Sequence, residues 1–133
     1  MKRLVVDVRP GDYSVVRLPA GSPPPAGLFQ LPEPAMVSVT STPDEVSVVC
    51  PTEAAPAGED VSQGWRLLTV RGPFEFTLTG IMASVAGALA AAGVSLFAVS
   101  TFDTDHVLVR AAELNRAVAA LVEAGHEVHE AVA

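Results

Sequence analysis

The sequence predicts an α+β fold in which antiparallel sheets are covered by helices on one face. Half of the 133 residues are hydrophobic but only 5% are aromatic, so Ala and Val carry most of the apolar content. That composition is typical of a small sheet packed under Ala-rich helices. In the C-terminal half, apolar residues also recur with strand and helix periods in the order β-α-β-β-α-β.

The N-terminal half contains four strand-like runs, at residues 4–8, 13–18, 36–40 and 45–50. Pro10, Gly11 and Asp12 separate the first two, which predicts one hairpin. The turn residues 41–44 separate the other two, which predicts a second hairpin. Between the hairpins, residues 19–34 include six prolines, and this spacing excludes a regular helix. Residues 51–64 are polar and rich in Pro and Gly, so we expect a connector or an exposed loop there.

The first half of the C-terminal pattern is a strand followed by a helix. Residues 65–70 form a strand-like run, which Arg71, Gly72 and Pro73 bend before residues 74–76. After Thr79, five apolar residues recur along one face of a helix that ends at Gly93. They are Ile81, Val85, Ala88, Leu89 and Ala92. We expect Gly87 to permit close packing of this helix against the sheet.

The second half of the pattern is a strand pair, a helix and a last strand. Residues 94–100 and 105–110 flank the TFDTD turn. Four apolar residues then predict an amphipathic helix that stops at Gly125. They are Leu114, Val118, Leu121 and Val122. Residues 126–132 alternate as an edge strand would, and we expect His126 and His129 to lie on the surface.

The order β-α-β-β-α-β is the ferredoxin-like arrangement, in which two helices cover one face of a four-stranded antiparallel sheet. The first half fits the same scheme if the irregular Pro-rich segment fills a helix position. We therefore expect two ferredoxin-like halves, a degenerate one at residues 1–63 and a regular one at residues 64–133.

Charge and composition exclude several classes of protein. The net charge is −7 and the eight Lys and Arg residues are scattered, with only Lys2 and Arg3 adjacent, so we expect neither nucleic acid nor a membrane surface as a partner. Polar and glycine residues interrupt the most apolar window, residues 81–99, which argues against a transmembrane helix. Asp7 and Arg9 cut the N-terminal apolar run below signal-peptide length, and Cys50 is the single cysteine. These features predict a cytoplasmic protein without an intrachain disulfide, with Cys50 as a buried structural thiol.

Thr79, Gly80 and Ile81 form the first candidate site, at the point where a strand gives way to a helix. The first N–H groups of a helix have no internal partners, and glycine lets another group approach the backbone closely. These three residues are therefore suited to binding an α-carboxylate. The alternative is structural: Thr79 caps the helix and Gly80 relieves a tight turn.

The second candidate site is the stretch TFDTDHVLV, Thr101 to Val109. Asp103 and Asp105 can accept hydrogen bonds from an ammonium or guanidinium group, and Phe102 can supply an apolar or cation–π contact. The alternative is a plain hairpin turn closed by Asp103. A metal site would need Asp105 and His106 to converge, but neighbours on a strand point to opposite faces, so we predict no metal ligands.

No sequence motif of an enzyme is present. The chain lacks the G-x-S-x-G, P-loop, H-E-x-x-H and paired-cysteine patterns. We therefore expect a protein without catalytic activity and without a cofactor.

Residues 72–110, GPFEFTLTGIMASVAGALAAAGVSLFAVSTFDTDHVLVR, resemble the ACT domain. The resemblance is to the subgroup that includes aspartate kinase regulatory regions and cytosolic arginine sensors. Residues 38–51 resemble the partner segment that small bacterial ACT-like proteins carry before this domain. The common ACT opening has an acidic residue and an R-P-G turn, whereas this chain has Thr77 to Gly80, an L-T-G element like that of the subgroup.

The resemblance implies a regulatory module that binds an amino acid at an interface between paired domains. It implies that Thr101, Phe102, Asp103, Thr104 and Asp105 form one wall of the pocket, opposite the Gly80 turn. It also implies a homodimer and a protein partner that responds to the ligand. The competing interpretation is a structural interaction module with a vestigial pocket.

Overall fold

The computed structural model describes residues 3–58, 60–72 and 80–130. Within these ranges the fold is α+β, as expected, with eight strands and two α-helices. The strands are β1 Val5–Val8, β2 Tyr13–Leu18, β3 Ser38–Ser41, β4 Val46–Pro51, β5 Asp60–Val70, β6 Leu96–Ser100, β7 Asp105–Arg110 and β8 Glu127–Glu130. The helices are α1 Ile81–Ala91 and α2 Leu114–Glu123. The chain splits into two compact units: unit 1 is Met1–Pro10 with Trp65–Ala133, and unit 2 is Gly11–Gly64.

Unit 2 contains the hairpin predicted from residues 36–50. β3 and β4 pair antiparallel, and β4 pairs antiparallel with β2. The Thr42 N–H donates to the Glu45 carbonyl at 2.9 Å, and the Thr42 hydroxyl accepts from the Asp44 and Glu45 N–H groups. Residues 19–37 contain neither helix nor strand, in line with their prolines. Cys50 is buried, as expected, and burial raises the pKa of its thiol.

Two expectations for residues 1–64 are wrong. β1 does not form a hairpin with β2, because both of its edges are occupied: it pairs antiparallel with β5 and parallel with β8. Its inward residues Val6 and Val8 are fully buried in the core of unit 1. The connector is also shorter than residues 51–64, because Pro51 still belongs to β4 and β5 already begins at Asp60.

Unit 1 contains the predicted ferredoxin-like elements with one additional strand. Its strand order is β8-β1-β5-β7-β6. The sequence predicted four antiparallel strands, whereas β1 lies between β5 and β8 and makes one pair parallel. Leu68, Val70, Val107 and Val109 face a core that both helices cover. Burial of this single apolar face stabilises the unit, as expected for a two-layer α+β structure.

α1 buries the face that its 3.6-residue period predicts. Ile81, Val85 and Leu89 are buried, and Ala88 and Ala92 pack against the same core. The expected role of Gly87 is wrong, because Gly87 is exposed and a Cβ atom placed on it would meet nothing within 4 Å.

α2 buries Leu121 and Ala117, with Leu114 and Val118 packed beside them. Val122 is 54% exposed, so its assignment to the buried face is wrong. An α-helix turns by about 100° per residue, so Ala117 and Leu121, which are four residues apart, lie on the same face. Val122 is turned by a further ~100° from Leu121, toward water.

Candidate functional site

The predicted site residues within the described ranges all lie at one end of unit 1. We call this the loop end: it is where β5 and β6 finish, at Val70 and Ser100, and where β7 begins. The Thr104 hydroxyl donates to the Val70 carbonyl at 2.6 Å, and Ser100 pairs with Asp105. The Arg71 N–H donates to the Val5 carbonyl, so β1 starts at this end too.

The start of α1 lies at the same end. The Ser84 hydroxyl, in the first turn of α1, hydrogen bonds to His126 at 3.1 Å. His126 immediately precedes β8, and its ring accepts the Leu4 N–H just before β1. The start of α1 is therefore tied to the starts of β1 and β8, both of which lie at the loop end.

Gly80 precedes α1 with a left-handed backbone, at φ 85° and ψ 0°. Its carbonyl accepts the first helical hydrogen bond, from the Ser84 N–H at 2.9 Å. Among the described residues no side chain caps this helix, because the capping position itself is a glycine. Gly80 is exposed, whereas the Ile81 side chain belongs to the core. Backbone N–H groups at such a terminus attract carboxylates and other anions. Thr79 lies outside the described residues.

Two glycine-to-alanine substitutions test the left-handed backbone of Gly80, because Gly80 and Gly87 both have open space around them and differ in backbone conformation. Gly80→Ala forces an alanine into a left-handed backbone and should destabilise the protein by about 1–2 kcal/mol. Gly87→Ala, in open space in the middle of the same helix, should stabilise it by about 0.5–1 kcal/mol. Urea unfolding of both variants measures the difference, and equal effects would contradict the assigned backbone of Gly80.

The loop of residues 101–104 is held by its threonines. The Thr101 N–H and hydroxyl both donate to the Thr104 carbonyl, at 2.9 and 3.0 Å. Thr104 in turn anchors the loop to Val70. The tip residues Phe102 and Asp103 are exposed, Phe102 by 78%. The threonines thus fix the shape of the loop, and the tip residues are presented to solvent.

Asp105 and His106 lie on opposite faces of the sheet. Val107 and Val109 face the helices, and Asp105 is two residues before Val107, so it lies on the helix side. His106 lies on the other side, where it hydrogen bonds to the Thr69 hydroxyl at 3.0 Å and the Thr101 hydroxyl at 3.4 Å. Asp105 therefore shares both its end and its face of the sheet with the start of α1.

The pKa of His106 is lowered by its partial burial, which outweighs the opposing influence of Asp105. The His106 ring links β5, β7 and the loop through its bonds to Thr69 and Thr101. No group of three His, Cys, Asp or Glu side chains is placed to hold a metal ion in the described part of the chain.

His126 was expected on the surface but is buried, with 4% exposure. Its position after Gly125 marks it as the first residue beyond a helix, and nothing in the local pattern indicates which elements surround it. Sequence reasoning missed this residue because its partners, Leu4 and Ser84, are distant along the chain.

The sequence and the fold resemble those of a known class of protein. Residues 60–123 match the family model of the ACT domain. A crystal structure of protein Atu0741 from Agobacterium tumefaciens is 36% identical in sequence and has a TM-score of 0.89. That match covers 100% of this chain and 97% of the other. The chain belongs to the ACT domain family, and the resemblance found in the sequence is confirmed.

Two relatives whose names state a role match this chain less completely than the Agrobacterium protein does, either over a smaller part of their length or at lower sequence identity. The cytosolic arginine sensor for mTORC1 subunit 1 of Homo sapiens is 48% identical over 46 residues. That segment is 34% of this chain and 14% of the human protein, so this chain matches about one seventh of its relative. The regulatory subunit of aspartate kinase from Thermus flavus has a TM-score of 0.60 at 15% identity, with 90% of this chain and 95% of that chain covered. That likeness shows the shared fold.

A helix that spans a membrane needs about 20 predominantly apolar residues. Neither α1 nor α2, the α-helices in the described residues, is long and apolar enough to cross a bilayer.

Proposed function

We propose that this protein is a non-enzymatic regulatory protein that binds an amino acid at the loop end of unit 1. One observation carries the proposal: the start of α1, which no side chain of the described residues caps, shares one end and one face of the sheet with the carboxylate of Asp105. An amino acid carries one anionic and one cationic group on adjacent atoms. A donor-rich helix start beside a carboxylate complements both groups.

Each site residue has a distinct role in this proposal. The α-carboxylate accepts hydrogen bonds from backbone N–H groups at Gly80 and Ile81, with Thr79 beside them. The ammonium group or a cationic side chain binds Asp105 or Asp103. Phe102 at the exposed loop tip contributes apolar or cation–π contact. Thr101 and Thr104 keep the loop in shape through the bonds described above.

The relatives support a regulatory role. One is called a cytosolic arginine sensor and another a regulatory subunit of aspartate kinase. We extend that role to this chain, together with a homodimer, a ligand at an interface between ACT domains and a cytoplasmic location. The division into a degenerate ACT-like half at residues 1–63 and a regular half at residues 64–133 stays a prediction. Differential affinity of the ligand for two assembly states would carry the signal.

A thermal-shift panel of the twenty common amino acids, with L-arginine included, tests the proposal. A ligand at roughly 100 times its dissociation constant stabilises the folded state by about 2.7 kcal/mol, which raises Tm by several degrees. We expect at least one amino acid to do so and its amide derivative, which lacks the carboxylate, to fail. If saturating amounts of all twenty leave Tm unchanged, the sensor is excluded and the structural interaction module is favoured.

A further inference from the structure

His126 joins three elements of unit 1 that are far apart in sequence. Its backbone N–H donates to the Leu121 carbonyl at the end of α2. Its ring atom Nδ1 accepts the Leu4 N–H at 3.1 Å, and its Nε2 lies 3.1 Å from the Ser84 Oγ. Ser84 belongs to the first turn of α1 and donates its own N–H to Gly80. One buried residue therefore connects three elements: its backbone reaches the end of α2, and its imidazole links the start of β1 to the start of α1.

The bond from Leu4 determines the protonation state of this ring. A backbone N–H can only donate, so Nδ1 must present a lone pair. A neutral imidazole then carries its proton on Nε2, and this N–H donates to the Ser84 Oγ. Both ring nitrogens are occupied, which restricts the ring to one orientation and one tautomer.

We infer that His126 is a positioning residue that fixes the start of α1, and with it the N–H groups at Gly80 and Ile81, against β1. The inference deepens the proposed function, on which its meaning for ligand binding rests. Moving the first turn of α1 by a fraction of an ångström changes the direction of every N–H group that a carboxylate would meet. A link from Ser84 to β1 opposes that movement.

The surroundings of the ring make the link sensitive to acid. α1 contains no ionisable side chain, and Glu123 near the end of α2 is exposed. Arg3, which precedes β1, and Glu127 of β8 are bonded to each other at 3.2 Å. Burial accordingly lowers the pKa of His126. Protonation would set an N–H at Nδ1 against the Leu4 N–H, and the bond between them would be lost.

The sign of the pH effect follows from the lowered pKa. The unfolded chain binds a proton at its ordinary pKa of about 6.5, while the folded protein resists protonation to a lower pH. The contribution of the neutral ring to stability is complete above about pH 6.5. It is lost as the pH falls from there through the folded pKa.

NMR spectroscopy of the ligand-free, full-length protein tests the inference directly. Nitrogen shifts of the ring should identify the proton on Nε2. Amide exchange should show the Leu4 and Ser84 N–H groups losing protection together as the pH falls from about 6.5 through the folded pKa of His126. A proton on Nδ1 at neutral pH, or a Ser84 amide that keeps its protection while the Leu4 amide loses it, would overturn the inference.

Three variants separate the two ring bonds. In His126→Asn the amide oxygen can replace Nδ1, so the Leu4 amide should stay protected. In His126→Gln the amide can replace Nε2, so the Leu4 amide should exchange at least tenfold faster. Ser84→Ala, which removes only the hydroxyl that meets Nε2 and leaves the ring in place, guards against variants that fail to fold. We expect faster exchange of the Ser84-position amide in Ser84→Ala and in His126→Asn. Unchanged exchange in both would show that His126 does not hold α1.

These results do not depend on whether an amino acid binds. If the panel also identifies a ligand, its affinity for the unaltered protein should fall as His126 becomes protonated. In Ser84→Ala the affinity should be several-fold lower and should no longer follow the protonation of His126. Exchange as expected with no bound amino acid would reject the proposed function and retain the positioning role. Binding of an amino acid with unchanged amide exchange in the variants would support the proposed function and reject the positioning role of His126.

Discussion

Leu121→Ala should lower the free energy of unfolding by about 2–5 kcal/mol. Leu121 is fully buried in the core of unit 1, and truncation leaves a cavity that α2 cannot fill without moving. The matched control is its neighbour Val122→Ala, which removes methyl groups from a residue that is 54% exposed. That substitution should change stability by about 0.5 kcal/mol or less. Urea unfolding gives both values, and a larger loss at Val122 would reverse the assigned faces of α2.

Asp105→Asn should weaken the binding of an amino acid identified in the panel by about tenfold or more. A hydrogen bond to a charged group contributes about 1.5–3 kcal/mol, and 1.4 kcal/mol corresponds to a factor of ten. Asp103→Asn should weaken binding too if the exposed loop tip closes over the ligand. Titration calorimetry measures both affinities.

Asp44→Asn supplies the control for these two variants, because it changes the same side chain in the β3–β4 turn of unit 2. Its affinity should equal that of the unaltered protein. Unchanged affinity in both Asp103→Asn and Asp105→Asn would remove the carboxylates from the site, even if an amino acid still binds.

The local elements of the fold were predictable because they depend on neighbours in the sequence. Residues 105–110 alternate as a strand and form β7 with those bounds. The apolar period that begins at Ile81 forms α1, and the turn after Ser41 joins β3 to β4. Periodicity also separated Asp105 from His106, since alternation along a strand is a property of the backbone itself.

Pairings between distant residues were not predictable in the same way. Val5 to Val8 reads as a strand, but nothing in it shows that its neighbours are β5 and β8. His126 looks like a polar residue after a helix stop, and its burial follows from the docking of β1 and α1 around it. The predictions for Val122 and Gly87 were wrong because the type of a residue shows that it is apolar or small, but not which side of the helix it occupies.

The two segments of the candidate site were predictable from the sequence, but their positions relative to each other in space were not. The helix start at Gly80 and the loop from Thr101 to Asp105 each have a local signal, from turn and capping chemistry. Their location at one end of unit 1 follows from the strand order, which brings Val70, Ser100 and Asp105 together. The anchoring of Thr104 to Val70 spans 34 residues, so no local pattern indicates it.

The position of β1 also sets the order in which the chain can fold during synthesis. β1 is made before both of its partners, which are Leu68 to Val70 and then Glu127 to Glu130. Until residue 130 has been made, one edge of this valine-rich strand lacks its native neighbour. Such long-range pairing slows folding and leaves an apolar edge open to other chains. We therefore expect unit 1 to complete its folding late, and nascent chains that stop before β8 to aggregate.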